Sequence, residues 1–294
     1  MKTSNHLLRR LTAALLAAVL ALSIALPVFA SDDGDTIYIN SVSDLLSLAK
    51  SCAYDQWSVG KTVILQKDLS LEGMLWEPIP SFSGQFKGNG HTISDLTITG
   101  QYSPAGLFGI VEEQGSIESL SVRGIVSVSD AADTTTGGIV GINHGTLINC
   151  QFTGVVTGDS EVGGIVGRNE SEGTIDHSTA RAIVTGKSST GGIAGYNLGA
   201  ITGCTNVGSI NTEYPEASLD TDGFTAKMVD YINNKMAAAA DDATNSVTNV
   251  ATDTGGIAGR SSGMILTSVN TGTIGYEHVG YNVGGIVGRT DVLL

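Results

Sequence analysis

The stretch Gly137–Gly167, GGIVGINHGTLINCQFTGVVTGDSEVGGIVG, opens and closes on the same five residues. Between the copies lie short apolar runs, such as Leu147-Ile148 and Val155-Val156, broken by Gly, Asn, Ser and Thr. That is the chemistry of brief strands joined by tight turns. Near copies recur outward in both directions, at Gly106–Gly109, Gly191–Gly195, Gly255–Gly259 and Gly284–Gly288. The glycine before the aliphatic pair falls at 106, 138, 164, 192, 256 and 285, giving spacings of 32, 26, 28, 64 and 29 residues. A second element follows most copies: GSIESLSVRGIV, GTLINCQFTGVV, GTIDHSTARAIV, GAITGCTNVGSI and GMILTSVNTGTI.

Three short strands in a unit of 26 to 32 residues predict one coil of an all-β, parallel, right-handed β-helix. Coils then stack about 4.8 Å apart, with ladder hydrogen bonds along the solenoid axis. The composition agrees: 39 of 294 residues are glycine and only 5% are aromatic, so small and β-branched side chains build a narrow bore. Glycines are expected to supply positive φ at the corners. Asn143, Asn169 and Asn197, two residues after successive copies, read as corner residues that also stack as an amide ladder. Cys150 and Cys204 occupy equivalent sites two coils apart with Ser178 between them. Their separation, about two strand spacings, exceeds the reach of a disulfide, so with Cys52 they read as buried small residues.

Three further segments frame the repeats. Lys2, Arg9 and Arg10 precede an uncharged run from Leu11 to Leu26, then Pro27 and Val28-Phe29-Ala30. This is the layout of a secretory signal peptide over residues 1–30, cleaved after Ala30. Cleavage leaves 12 basic against 29 acidic residues, a net charge of −17, which opposes unaided binding to nucleic acid or anionic membranes; no second apolar span follows. Residues 31–90 read as an N-terminal cap with the first β-helix strands. There Ser41–Asp44 precedes Leu45, Leu46, Leu48 and Ala49, a capped amphipathic helix that covers the sheet edge. Residues 91–294 read as the repeats, with the 64-residue gap marking a helical insertion at about 213–253. Its apolar face is Phe224, Met228, Tyr231, Ile232 and Met236, and it reads as packing on the solenoid flank or serving a partner. The final unit lacks its later strands, which predicts an edge open to end-to-end association, a truncated gene or a fragment of a longer protein.

No zinc, thiol-redox, nucleophile-elbow or phosphate-cradling motif is present, and the GGIVG string lacks the aspartate of calcium-binding repeats. No catalytic, cofactor or metal residues are assigned and no cofactor is expected. His91, His144, His177 and His278 sit at unlike offsets in their units. Asp130, Asp133, Asp159, Glu161, Asp253 and Glu277 fall just before GGIVG copies, a loose acidic column interrupted by Lys187, and read as a solvated loop edge. Trp57 and Trp76 both fall in the N-terminal segment, leaving no aromatic-rich groove for sugar stacking.

The repeated GGIVG…GTI pattern, with Trp76-Glu77-Pro78-Ile79-Pro80 and Phe82–Ile93 as a lead-in, resembles the GLUG-motif family of bacterial exported proteins over residues 37–294 apart from the insertion. The resemblance implies a β-helical, non-catalytic region of the kind found in surface proteins, adhesins and immunoglobulin A peptidases. The expected function is a secreted or cell-surface adhesion scaffold whose partner is a host or bacterial surface protein or glycan. A carbohydrate-active β-helix enzyme is the alternative, recognised by carboxylates clustered with Lys or Arg on one strand face.

Overall fold

Each GGIVG string forms a corner. A three-residue strand ends at Gly137, the chain bends at Gly138 and Ile139, and a new strand begins at Val140. A Cβ on Gly137 would stand 2.1 Å from the carbonyl oxygen of Val140, and one on Gly138 2.4 Å from the Phe152 ring. Neither glycine has a positive φ. The motif therefore requires glycine for close approach of backbone and ring, which corrects the expectation that these glycines supply left-handed corners. The left-handed corners lie elsewhere and are seldom glycine. Ser119, Asn149, His177, Gly203 and Thr267 each directly follow a strand of one sheet, with φ of 51°, 53°, 45°, 61° and 48°.

Because the motif bends, a coil holds four strands rather than the three expected. In the computed structural model, which describes residues 35–54, 56–128, 133–212, 251–275 and 282–291, these strands form four parallel sheets. One complete coil runs through Glu161–Gly163, Val166–Asn169, Thr174–Asp176 and Thr179–Thr185. The first sheet stacks five strands and the second seven. The third stacks eight, starting at Thr36–Ile39, and the fourth is the longest. The leader and insertion readings, with Phe224 to Met236, lie outside the described residues. The ladder resumes at Thr252, which pairs with Ser188, so the coils on either side of the insertion are direct neighbours.

The bore is filled by columns of like residues, one per coil. Ile139, Ile165, Ile193 and Ile257 are wholly buried, as are Leu147, Ile175 and Ile201. Burying each side chain of this kind stabilises by roughly 1.5–3 kcal/mol. The first coils depart from the small-residue expectation. Phe82, Phe86 and Phe108 pack edge-to-face or tilted with centroids 5.4 to 6.3 Å apart, and Trp76 is buried beside them, its Nε1 donating to the Leu107 carbonyl. Helix α1 (Val42–Ser51) packs on these first coils, burying Leu45 and Leu48 against the strands Thr36–Ile39 and Ile79–Phe82. The helix begins as read: Ser41 Oγ accepts from the Asp44 amide, and Asp44 Oδ2 accepts from the Asn40 amide.

Two polar columns run inside the bore. Asn143 Nδ2 donates to Asn169 Oδ1 at 2.8 Å, Asn169 Nδ2 to Asn197 Oδ1 at 2.9 Å, and Asn197 Nδ2 to Ser261 Oγ at 3.2 Å. All three asparagines are fully buried within strands, so they form the expected ladder without being corners. The ladder starts abruptly: Val111 stands below Asn143, and Asn143 Oδ1 has no donor. In the second column Cys150, Ser178, Cys204 and Ser268 alternate thiol and hydroxyl. The amides of Cys150, Ser178 and Cys204 donate to the side chain one coil on. The cysteines are free, and desolvation pushes the thiols of Cys150 and Cys204 up to about 12 and about 11.

Candidate binding face

The bend in GGIVG fixes which side chain leaves the solenoid. In Val166–Asn169 the valine and asparagine point into the bore, so Arg168 points out. Register stacks its counterparts into one outward column on the second sheet: Ser81, Ile110, Ile142, Arg168, Tyr196, Arg260 and Arg289. The last four form a continuous charged strip. The Arg168 and Arg260 guanidinium groups lie over the Tyr196 ring at 5.1 and 4.8 Å from its centroid.

Carboxylates close around this strip. Arg168 Nη1 donates to Glu161 Oε1 at 2.8 Å and Nε to Glu170 Oε1 at 2.6 Å. Arg260 Nε donates to Asp291 Oδ2, and Arg289 lies 3.4 Å from Asp291 and 3.8 Å from Asp253. Burial opposes the charge on Arg168, but Glu161 and Glu170 together raise its pKa; hydrogen bonding to Asp291 raises that of Arg260. The Arg260 hydrogen bond in turn holds the Asp291 carboxyl below the usual range. The strip is nearly charge-balanced, and cations cover both faces of Tyr196, so it suits directional polar contacts better than sugar stacking. At the other end of the column Ser81 donates to Glu112, and both border a polar groove of about 460 Å³ with Gln56, Glu113 and Gln114.

Among the described residues, the acidic side chains singled out in the sequence do not form an open acidic edge. Asp130 and Glu277, like His278, lie outside the described residues. Asp159 pairs with Lys187 at 2.7 Å and accepts from the Asp133 amide, and the Lys187 contact lowers its pKa. Glu161 is held by Arg168 and by Thr135 Oγ1. Asp253 is buried, left-handed and bonded to Asn282. Lys187, which seemed to interrupt a column, is one of its counter-charges. Among the described residues no group of three or more His, Cys, Asp or Glu could hold a metal ion. The histidines are dispersed, His91 against Asp68 and His177 against Asp176. The arginine–tyrosine strip was missed in the sequence, although aligned repeats show it: the residue after the last motif glycine is Ile142, Arg168, Tyr196, Arg260 and Arg289 in turn.

Residues 158–185 match the GLUG motif. The matched segment contains all four strands of one coil, so the GLUG motif is one complete turn of the solenoid. Halomucin of Haloquadratum walsbyi is 32% identical over 155 residues, covering 48% of this chain and 2% of halomucin. A protein described as a Gly-rich membrane protein, from Evansella cellulosilytica, is 29% identical over 137 residues, covering 34% of this chain and 16% of that protein. The chain thus spans a small fraction of the relatives it matches. A crystal structure described as an immunoglobulin A1 protease of Bacteroides ovatus superposes with a TM-score of 0.48 at 12% identity, covering 87% of this chain and 83% of that one. No helix among the described residues is long and apolar enough to cross a membrane.

Proposed function

We propose that this protein is an exported, non-catalytic cell-surface scaffold that engages a surface protein or glycan through the second sheet. The observation that carries the reading is the outward column itself. A rigid ladder presents one side chain per coil from Ser81 to Arg289, ending in the Arg168–Tyr196–Arg260–Arg289 strip. Regular spacing along a stiff solenoid suits an extended partner. Relatives named as a mucin and a membrane protein, each far longer than the match, support a surface setting. The test is binding of the full chain to glycan arrays and immobilised surface proteins, compared with a Tyr196→Ala, Arg260→Ala variant. Loss of binding in the variant is expected. Binding that survives the double substitution overturns the assignment of the face, and a chain confined to the cell interior overturns export.

One observation favours a second reading. Glu161 and Glu170 grip one arginine beside Tyr196, which puts paired carboxylates and a cation on one face. Release of reducing ends from polysaccharides, abolished by Glu161→Gln or Glu170→Gln, would establish an enzyme.

A further inference from the structure

The outward column of the second sheet begins at Ser81, and beside Ser81 the surface falls into the groove of about 460 Å³. That volume lies in the range of pockets that take one small molecule and is far larger than a single ion needs. Three separate parts of the chain line it. The strand Ile79–Phe82 and the corner after it supply Ser81 and Ser83, and the turn after Val111 supplies Glu112, Glu113 and Gln114. The loop before Thr62 supplies Gln56 and Val59. The walls are held by backbone groups and one buried hydroxyl. Ser58 Oγ accepts from the Ser83 amide at 2.9 Å, and the Lys61 carbonyl accepts from the Gln85 amide at 2.8 Å. Gly84 permits this approach, since a Cβ there would stand 2.7 Å from the carbonyl oxygens of both Ser58 and Lys61. On the other side the Glu112 amide donates to the Phe82 carbonyl at 2.9 Å, and the Gly115 amide to the Glu112 carbonyl at 2.8 Å. The groove is therefore formed before any ligand arrives, and binding there costs little ordering of the protein.

We infer that this groove binds one sugar residue that carries no acidic group, as an end subsite of the second-sheet face. The inference rests on the reading of that sheet as the binding face, but it uses no residue of the arginine–tyrosine strip. The lining selects the ligand class. The amides of Gln56 and Gln114 and the hydroxyls of Ser81 and Ser83 both donate and accept, while the carboxylates of Glu112 and Glu113 only accept. Each sugar hydroxyl also donates and accepts, so a ring bearing several of them satisfies both kinds of group. A simple cation would use the acceptors alone. Ser81 Oγ already donates to Glu112 Oε1 at 2.8 Å, which orients that carboxylate beside the strand. Val59, 44% exposed, offers one small apolar contact for a ring face. None of the described residues lining the groove is basic, so nothing in the lining offsets the two carboxylates, and an acidic sugar is repelled.

The test is ligand-observed saturation-transfer NMR on the full chain with the methyl glycosides of glucose, mannose and galactose, and with methyl glucuronide as the anionic counterpart. A single ring cannot reach the strip from the groove, because Ser81 and Arg168 are three coils apart in register, about 14 Å. At least one neutral glycoside is expected to bind, with the glucuronide weaker by about tenfold or more. The pair Glu113→Gln, Gln114→Ala removes a charge and an amide from the turn and should weaken binding about tenfold. Val59→Trp fills the groove while keeping every polar side chain that lines it, and should weaken binding as much. Melting temperatures close to the parent's show that the solenoid stands in both variants. The Tyr196→Ala, Arg260→Ala variant should bind the glycoside as the parent does, whatever becomes of its larger partners, so the groove and the strip fail separately. No transfer to any neutral glycoside, equal binding of the glucuronide, or binding indifferent to both groove variants overturns the inference.

Discussion

Gly164→Ala is expected to be among the most damaging single-methyl changes in this protein. The added Cβ would stand 2.2 Å from the carbonyl oxygen of Gly192, one coil away, and 2.9 Å from Ala180 Cβ. Relieving the backbone contact requires the two coils to part by about 1 Å, since a carbon–oxygen contact needs roughly 3.3 Å. That displacement falls on a ladder already at its normal length: Gly164 N to Gly191 O at 3.2 Å, Ile165 N and Val166 N to Ile193 O at 3.0 Å each. All three would stretch past hydrogen-bonding range. At about 1 kcal/mol each, the loss is about 3 kcal/mol, or about 6–12 °C of melting temperature for a domain of this size. The control is built in. Gly285 holds the same motif position in the last coil, where a Cβ meets nothing within 4 Å. Gly285→Ala should therefore melt within about 2 °C of the parent. Circular-dichroism melts of both variants decide the matter, and equal melting temperatures for the two would refute close approach as the reason for the glycine.

Other consequences follow from the same structure. Asn169→Ala breaks the ladder in the middle, leaving Asn143 Nδ2 and Asn197 Oδ1 short of a partner; a loss of about 2–4 kcal/mol is expected in chemical denaturation. Thr267 holds a left-handed corner with a β-branched side chain, so Thr267→Gly should stabilise by about 0.5–1 kcal/mol after the added unfolded-state entropy is deducted. A thiol reagent should find no reactive cysteine in the native parent and three after denaturation, with no mass change on reduction. The carboxyls of Asp159 and Asp291 are depressed by Lys187 and Arg260. Their contribution is therefore present above the unfolded value of about 3.9 and lost as pH falls through the lower folded values. Melting temperature should drop over that acid range, and Asp159→Asn should flatten the dependence.

Much of this architecture is legible in one dimension because a solenoid repeats locally. A coil contacts its neighbours, which are its neighbours in sequence, so a 26–32 residue period in glycine and aliphatic pairs suffices to announce it. The helix from Val42 to Ser51 was legible for a similar reason, since its cap and its two buried leucines all fall within one short segment. The Cys150–Ser178–Cys204 column could be read as lacking a disulfide because spacing alone puts two coils between the thiols.

What sequence could not supply was direction. Glycine at a corner signals either a positive φ or a missing Cβ, and only the approach of Val140 O to Gly137 and of Phe152 to Gly138 shows that the second applies. The same ambiguity hid the fourth strand, because a bend inside five residues leaves no mark in composition. Charges behaved likewise. Asp159, Glu161 and Asp253 looked like an acidic edge until stacking brought Lys187, Arg168 and Arg289 against them. The sequence by itself determined the period and the aliphatic columns of the repeat coils. Tertiary structure decided which side of each strand faces water, because that depends on where the chain bends, and hence that an arginine–tyrosine strip forms the outer face.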